Sequence, residues 1–334
     1  MKLKLIISSL LCLLWASSTI AQDSQFTQFY AAPTYLNPAF AGTSVQNRLA
    51  INGRNQWPSI AGGWQTYNFA FDHYAPSINS GFGILAMHEK AGSGALRSNT
   101  VALQYTYEVP IRRDVFFLPA IQFGYSNRNI NFNDLVFSDQ IIRDNAENSL
   151  ETNGIQPHGF FDMGAGALLF SKKYWFGLAV HHLNEPNESL FPQTVSILAR
   201  KYSAHGGYRM KMPGKFYNRS KNYIVAAFNY KQQGDFNQLD LGAYVETEPF
   251  TFGLWYRGLL AKSNGYGYLN QDAVALLVGI NTNRYKIGYS YDLTISQLGS
   301  PNSGGAHEIS IQYEWSNKRN ARLAKRRIVP CAKF

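Results

Sequence analysis

The chain has 334 residues, a formal net charge of +10, 15% aromatic residues and only 16% charged residues. Beyond the N-terminal region no stretch contains about 18 consecutive apolar residues, so the sequence predicts no transmembrane helix there. An aromatic-rich, charge-poor composition is unusual for a water-soluble domain, and two cysteines are too few for a disulfide-stapled scaffold.

Residues 1–21 have the pattern of a secretory signal peptide. Two lysines precede the apolar run LIISSLLCLLW, and small residues stand before the expected cleavage point. A permanent membrane anchor is the alternative, but the apolar run is too short for one. Cleavage removes Cys12 and leaves Cys331 as the single thiol, which excludes an internal disulfide in the mature chain.

Residues 22–46 are predicted to form a rigid lead-in to the strands that follow. Pro38 fixes its own φ and disfavours helix at Asn37, and Gly42 permits a turn before the first strand. We expect the lead-in to seat the N-terminus against the periplasmic mouth of the strand domain or inside its lumen. A docking surface for periplasmic machinery or for a secreted partner is the alternative.

Most of the remaining chain alternates between apolar and polar residues, which predicts β-strands. In residues 101–109 one face carries Val, Leu, Tyr, Tyr and Val, and the other carries Ala, Gln, Thr and Glu. The pattern recurs in residues 117–127, 239–246, 285–293 and 308–315. The Tyr- and Phe-rich face fits lipid, and the small or uncharged face fits a barrel interior. A soluble β-sandwich also alternates, but its solvent face would hold more Lys, Glu and Thr.

The predicted fold class is therefore all-β, a transmembrane antiparallel β-barrel of about fourteen strands over residues 47–316. The strand centres are expected near residues 51, 69, 84, 104, 121, 165, 178, 206, 227, 242, 254, 277, 289 and 311. An even number of strands returns the chain to the side where it began. In outer-membrane barrels that side is the periplasm, so the sequence predicts an outer-membrane protein with both termini periplasmic.

The connections between these strands are expected to alternate between short periplasmic turns and longer outward loops. The outward loops are predicted at residues 128–158, 184–200, 258–272 and 294–305. Two connections break the pattern: the short outward QQGDF (232–236) and the longer inward PGKFYNRSK (213–221). The loop at 128–158 contains apolar pieces, so we expect it to plug the barrel from outside. A lid that faces a secreted partner is the alternative.

The segment HHLNEPNE (181–188) offers two histidines and two glutamates, which raises the question of a metal site. Neighbouring residues on a strand point to opposite faces, and no cysteine accompanies them. We therefore expect His181 or His182 to hydrogen-bond the following loop instead. A Ser–His–Asx triad would need a convergence that nothing in the sequence fixes. No enzyme activity, metal or cofactor is predicted.

Residues 317–334 form a basic tail without an acidic residue. Seven positive charges lie there and two more in the signal peptide, so the barrel itself is nearly neutral. The tail is predicted to make a periplasmic contact through Lys318, Arg319, Arg322, Lys325, Arg326 and Arg327. Anionic lipid headgroups and an acidic periplasmic protein are the alternative partners. Nucleic acid is not predicted, because the barrel presents no basic face.

Two stretches carry a resemblance to a known family. The first is QFTQFYAAPTYLNPAFAGT (25–43), and the second is FFDMGAGALLFSKKYWFGLAVHHLNEPNESLF (160–191). They resemble the lead-in and the central hairpin of the PorP/SprF family, outer-membrane proteins of the type IX secretion system of Bacteroidota. LVFSDQI (135–141) and the region 288–311 are further matches. The basic tail departs from what the resemblance covers.

The resemblance implies a fourteen-stranded barrel that works with the type IX machinery. It implies that the barrel helps to secrete or anchor a specific partner with a C-terminal sorting domain, such as an adhesin of gliding motility, and it does not imply an enzyme. The residues expected to bind the partner or to form the structural signature are Asn37, Pro38, Phe40, Gly42, Asp162, His182, Pro186 and Asn187. A passive porin or solute channel is the alternative function. The charges expected inside the barrel do not decide between the two: Asp240, Asp292, Glu308, Glu314 and Lys286.

Overall fold

A computed structural model describes most of the chain between residues 23 and 331. The described residues are 23–44, 46–92, 96–131, 135, 138–143, 155–212, 222–263, 269–296, 298–316 and 329–331. The predicted signal peptide lies outside them. So do the six basic residues predicted as a periplasmic contact: Lys318, Arg319, Arg322, Lys325, Arg326 and Arg327.

The strands form one closed antiparallel sheet. They are β1 Asn47–Gln56, β2 Trp64–Ala75, β3 Ser80–Ala91, β4 Leu96–Tyr107, β5 Val109–Arg112, β6 Val115–Ile130, β7 His158–Phe170, β8 Tyr174–His181, β9 Lys201–Lys211, β10 Tyr223–Gln233, β11 Phe236–Thr247, β12 Phe250–Ser263, β13 Leu269–Asn281, β14 Tyr285–Thr294 and β15 Ala306–Trp315. β5 is short, and both β4 and β5 pair with β6, so fourteen strands span the wall. Every predicted strand centre falls inside a strand, which confirms the predicted barrel.

Pairing of the first strand with the last closes the barrel. Asn47 lies opposite Trp315 at one end of this seam, and Gln56 lies opposite Ala306 at the other. Closure removes the exposed edges that an open sheet would leave. Each wall strand therefore has a hydrogen-bonded neighbour on both sides, as a membrane-spanning sheet requires.

The alternation of the sequence is visible in the burial of the side chains. On β4, Val101 and Leu103 are exposed on the outer face, whereas Ala102 and Gln104 are buried. Exposed aromatic residues stand near both ends of the strands. At one end they include Tyr107, Tyr174, Phe250, Tyr285 and Trp315, and at the other Tyr67, Tyr125, Phe161 and Tyr202. Two aromatic belts around an apolar band are typical of a barrel in a bilayer.

The two ends of the barrel differ in their connections. We call one the turn end, where residues 76–79, 113–114, 171–173, 212–222, 248–249 and 282–284 join the strands. We call the other the long-loop end, where residues 57–63, 92–95, 131–157, 182–200, 234–235, 264–268 and 295–305 join them. The connection predicted at 258–272 is much shorter than expected, because β12 continues to Ser263 and β13 begins at Leu269.

Within the described part of the chain, three short helices and one 3-10 turn accompany the strands. They are α1 Pro33–Leu36, the 3-10 turn Pro38–Phe40, α2 Ser138–Ile142 and α3 Ser300–Ser303. Among the residues that the structure describes, no helix is both long and apolar enough to cross a membrane. α2 has no buried residue, and Ile142 is 82% exposed. The predicted plug is therefore wrong for this part of the loop, and much of the remaining loop lies outside the described residues.

A different segment fills the lumen. Residues 23–44, which we call the lumen segment, are almost all buried, and their apolar side chains form a core with inward residues of the wall. This core includes Phe29, Tyr30, Leu36, Phe40, Leu118, Leu168, Trp175, Tyr244, Trp255 and Leu277. Phe29 packs edge-on against Trp255, with 4.7 Å between the ring centroids. The barrel therefore has a packed interior, supplied by the residues that precede β1.

The lumen segment runs the length of the barrel. Asp23 contacts Lys201 and Gln233 at the long-loop end, whereas Gly42 contacts Asp72 close to the turn end, where β1 then begins. The strands begin and end on one side, as the even count predicts. Asp23, however, lies on the opposite side, because the chain crosses the lumen once before the first strand.

Candidate functional site

A network of charged side chains holds the part of the lumen segment around Thr27. The hydroxyl of Thr27 donates to Asp292 at 2.6 Å and accepts from Arg54 at 2.7 Å and from Arg257 at 2.8 Å. Its backbone N–H donates to Glu308 at 2.7 Å. A threonine is short enough to sit between two guanidinium groups, so this one residue anchors the segment to four strands: β1, β12, β14 and β15.

The wall charges in this network also pair with one another. Arg54 lies 2.9 Å from Asp292 and 3.3 Å from Glu308, and Arg257 lies 3.0 Å from Asp292 and 3.1 Å from Asp240. All five side chains are buried. Buried charges are tolerated when they are paired and hydrogen-bonded, and the removal of one partner costs about 3–5 kcal/mol. Asp292 and Glu308, two of the inward charges that the sequence left undecided, therefore bind the lumen segment, and Asp240 pairs with Arg257. The other two, Lys286 and Glu314, pair with each other.

Gln28 extends the contact to the last strand. Its amide nitrogen donates to the carbonyl of Glu308 and to Ser290, and its amide oxygen accepts from Ser310 at 2.6 Å. The backbone N–H of Gln28 donates to the Glu308 carboxylate at 3.0 Å. These bonds satisfy every polar group of a side chain that is fully buried, so this part of the segment is firmly seated.

Asn37 sits between the two strands of the hairpin β7–β8. Its amide nitrogen donates to the carbonyls of Ala167 and Leu178, at 3.2 and 3.0 Å, and its amide oxygen accepts from the N–H of Ala39. Glycines on these strands make the space. A Cβ at Gly166 would lie 2.1 Å from the oxygen of Asn37, and one at Gly177 would lie 3.0 Å from its nitrogen. The two stretches that carry the resemblance therefore contact each other.

The residues after Asn37 turn the chain toward β1. Pro38 occupies the first position of the 3-10 turn, and the ring of Phe40 stacks on His205 at 5.3 Å. Gly42 has a φ of +75° and donates its N–H to Asp72 at 2.9 Å. A Cβ at Gly42 would lie 2.6 Å from the Cα of Gly81, so both conformation and space require glycine here.

His182 joins the start of the lumen segment to the wall. Its Nδ1 lies 3.0 Å from Asp162, and its Nε2 lies 2.9 Å from Asp23. The expectation that the two neighbouring histidines point to opposite faces is wrong. β8 ends at His181, and His182 adopts a φ of +58° that turns its ring inward, so both are buried. The expected hydrogen bond from His182 to the following loop is replaced by these two carboxylates.

The charges around Asp23 favour a protonated His182. Burial alone would raise the pKa of Asp23, but Lys201 and His182 lower it well below its ordinary value. Burial alone would lower the pKa of His182, but Asp23 and Asp162 raise it to about 9. Near neutral pH the imidazolium can therefore donate to both carboxylates, which makes this contact a charged latch.

Pro186 and Asn187 shape the loop 182–200. The carbonyl of Pro186 accepts from the N–H of Leu198, and the side-chain oxygen of Asn187 accepts from the N–H groups of Ser189 and Ser196. Asn187 also forms an isolated β-bridge with Ile197. These bonds give the loop a defined shape.

Several contact residues were not singled out in the sequence. Thr27, Arg54 and Arg257 form the charged network, and Asp23 forms the latch. Arg54 and Arg257 lie at inward positions of their strands, and such a position is unusual for arginine without an acidic partner. An inward arginine on one strand together with an inward acid on another could therefore have indicated the charged network from the sequence.

The end of the basic tail returns to the turn end of the barrel. Val329 is buried within the same core as Tyr30 and Phe40, and Cys331 packs against it. Val329 and Cys331 therefore contact the barrel at the turn-end mouth, where their side chains are covered. Among the described residues there is no group of side chains suited to hold a metal ion.

A family model described as type IX secretion system membrane protein PorP/SprF matches residues 18–313. The chain belongs to the PorP/SprF family. This membership confirms the resemblance seen in the sequence and, with the closed barrel, makes the protein an outer-membrane β-barrel of type IX secretion. The PorP/SprF family is a class of secretion-system membrane protein that acts with secretion machinery and cargo in general, not a known class of enzyme.

No curated protein sequence matches the chain. Solved structures similar to this PorP/SprF barrel include the outer membrane protein Omp33 of Acinetobacter baumannii, at 9% identity and a TM-score of 0.45 over 82% of this chain and 100% of that one. The toluene transporter TodX of P. putida has 10% identity and a TM-score of 0.46, over 84% and 93%. KdgM porin has 8% identity and a TM-score of 0.37, over 80% and 99%.

Proposed function

We propose that the protein helps to secrete a specific partner, or to hold it at the cell surface, and that it does not conduct solutes. The partner in this proposal is an adhesin-like protein with a C-terminal sorting domain, such as one used in gliding. The observation that carries the proposal is the filled lumen. A porin keeps a water-filled passage, whereas here Thr27, Gln28 and Asn37 bind the lumen segment to the wall on several sides.

The orientation of the barrel is part of this proposal. Outer-membrane barrels have short periplasmic turns and longer external loops, so the long-loop end would face the exterior. The lumen segment would then begin at the cell surface and end at the periplasmic side. The predicted position of the N-terminus in the periplasm would be replaced by one at the outer mouth.

The long-loop end also offers a surface for a protein partner. Leu183, Phe191, Val195 and Ile197 are exposed on the loop 182–200, which lies beyond the strand ends. Arg128 pairs with Glu188 at 2.6 Å and ties this loop to β6. Exposed apolar side chains on an ordered loop outside the lipid band are typical of an interaction site.

Deletion of the gene tests the proposed function. We expect one or a few proteins with a type IX sorting domain to disappear from the cell surface, while other such proteins and general outer-membrane assembly stay normal. The reason is that the loss of a barrel that binds one partner affects the display of that partner, whereas the secretion machinery that the other proteins use is still present. The measurement is quantitative mass spectrometry of the cell surface and the medium, with the gene restored as the control.

The same experiment can instead support the alternative function, a passive porin or solute channel. If every protein with a sorting domain reaches the surface at its normal level, and only the uptake of small solutes falls, the solute-channel function replaces the one proposed here.

A further inference from the structure

A cleft opens at the long-loop end between the lumen segment and strands β9 to β11. It encloses about 710 Å³, part of which is open to solvent. We call it the mouth cleft and define it by Gln25, Phe26, Lys231, Phe236 and Gln238. The lumen segment itself supplies one wall, so the cleft exists only when that segment is in place.

The connection between the strands next to this cleft is short. Gly234 and Asp235 alone connect β10 to β11, whereas the residues 182–200 connect the preceding pair β8 and β9. Phe236 follows this tight turn and is 44% exposed. The short connection that breaks the predicted loop pattern therefore adds few residues that could cover the cleft, and the cleft is partly open to solvent.

The cleft offers one cation whose acidic partner is distant. The ammonium of Lys231 donates to the side-chain oxygen of Gln25 at 2.8 Å, and its ion pair with Asp240 is long, at 3.9 Å. Asp240 already accepts from Arg257 at 3.1 Å and from Gln238 at 2.7 Å. An ammonium has three donors, so Lys231 keeps capacity for an added carboxylate or carbonyl oxygen.

The remaining lining combines amides with apolar side chains. Gln25, Gln233, Asn237 and Gln238 supply groups that both donate and accept, and Phe26, Phe29, Leu36 and Phe236 supply apolar walls. Asn229 lines the floor, is 1% exposed, and its side-chain oxygen has no hydrogen-bond partner among the described residues. The cleft therefore presents acceptors and donors side by side, next to an apolar surface.

We propose that the mouth cleft binds an extended peptide segment of the secreted partner, one that carries a carboxylate and an apolar side chain. Peptide groups donate and accept along one line, which matches the amide lining. The carboxylate would meet Lys231 and the apolar side chain would cover Phe236. This inference rests on the proposed function and names the part of the barrel that would perform it.

A carbohydrate fits the cleft less well. Sugar binding relies on exposed aromatic faces and on carboxylates free to accept from hydroxyl groups, but Phe26 and Phe29 are buried. Among the described residues that line the cleft, Asp23 is the single carboxylate, and Lys201 and His182 already occupy it. The peptide is therefore the favoured occupant.

The test uses the intact chain in detergent and dye-labelled, overlapping peptides from each protein that the deletion strain fails to display. We expect fluorescence anisotropy to show saturable binding of at least one peptide. Phe236→Ala and Lys231→Met should each weaken that binding by about tenfold or more, because each removes one of the two contacts. Lys172→Met is the matched control, since Lys172 pairs with Asp114 at the turn end. It should leave binding unchanged.

Each other outcome overturns the assignment. Peptides that bind wild type and both cleft variants equally would place the contact elsewhere and leave the proposed function intact. No saturable binding of any peptide would overturn the assignment, and saturable binding of a dye-labelled neutral oligosaccharide in its place would make the cleft a sugar site. A surface proteome unchanged by the deletion would remove the proposed function and this inference together.

Discussion

Removal of residues 24–43 is expected to turn a closed barrel into an open channel. Fourteen strands enclose more space than their own inward side chains can fill, and larger barrels without a plug leave an aqueous passage. In planar bilayers the intact protein should show no resolved current steps, whereas the deleted form should show porin-like steps. The reason is that the lumen segment supplies the apolar core, including Phe29, Leu36 and Phe40.

A second deletion provides the comparison. Residues 144–152, within the connection 131–157, belong to the loop that the sequence predicted as the plug. Their removal should leave the conductance of the intact barrel unchanged. Current steps that appear with this second deletion, and not with the first, would restore the external loop as the plug.

Because the first deletion could also prevent assembly, a full-length variant keeps the prediction testable. Phe29→Gly with Tyr30→Gly removes two aromatic rings from the core but leaves the charged network at Thr27 intact. We expect a smaller but measurable current from this variant. Heat-modifiable migration on gels checks that each form has closed its barrel.

Gly166→Ala is expected to destabilise the folded protein, because its Cβ would lie 2.1 Å from the side-chain oxygen of Asn37. Overpacking of a tight interior costs about 1–3 kcal/mol. Here the added methyl also pushes Asn37 away from the carbonyls of Ala167 and Leu178, and a lost buried hydrogen bond costs about 1–3 kcal/mol more. The measurement is the temperature at which heat-modifiable migration is lost.

A matched glycine and a double variant make this prediction specific. Gly124 also faces the interior, but a Cβ there would meet Ala102 at an ordinary 3.4 Å, so Gly124→Ala should cost little. Asn37→Ala combined with Gly166→Ala should cost less than the sum of the two single changes, because the clash disappears with the amide. Additive costs would mean that Asn37 and Gly166 do not contact each other in the folded protein.

The wall of the barrel could be predicted from the sequence, because its signal is local. Period-two alternation places Val101 and Leu103 outward from the sequence alone, and the same rule holds on β14 and β15. Aromatic residues at strand ends reinforced this pattern. The even strand count then determined which connections share an end of the barrel.

The contents of the lumen could not be predicted in the same way. Apolar residues such as Ile141 and Ile142 indicate a tendency to be buried but not the place of burial, and here they are exposed. The charged network joins Thr27 to Arg257 and Glu308, which lie hundreds of positions away, so no local pattern reveals it. The positive φ of His182 decides the direction of its side chain, and a strand pattern does not predict that angle.

The central claim is that the lumen segment crosses the barrel and begins at the cell surface. Its most direct test is Gln25→Cys in a Cys331→Ser background, labelled on intact cells with a maleimide that cannot cross the outer membrane. Gln25 is partly exposed in the mouth cleft, so the account predicts labelling without permeabilisation. Cys331 in the otherwise wild-type chain, at the turn end, should be labelled only after the outer membrane is opened. Labelling of Gln25→Cys that likewise requires an opened membrane would contradict the account.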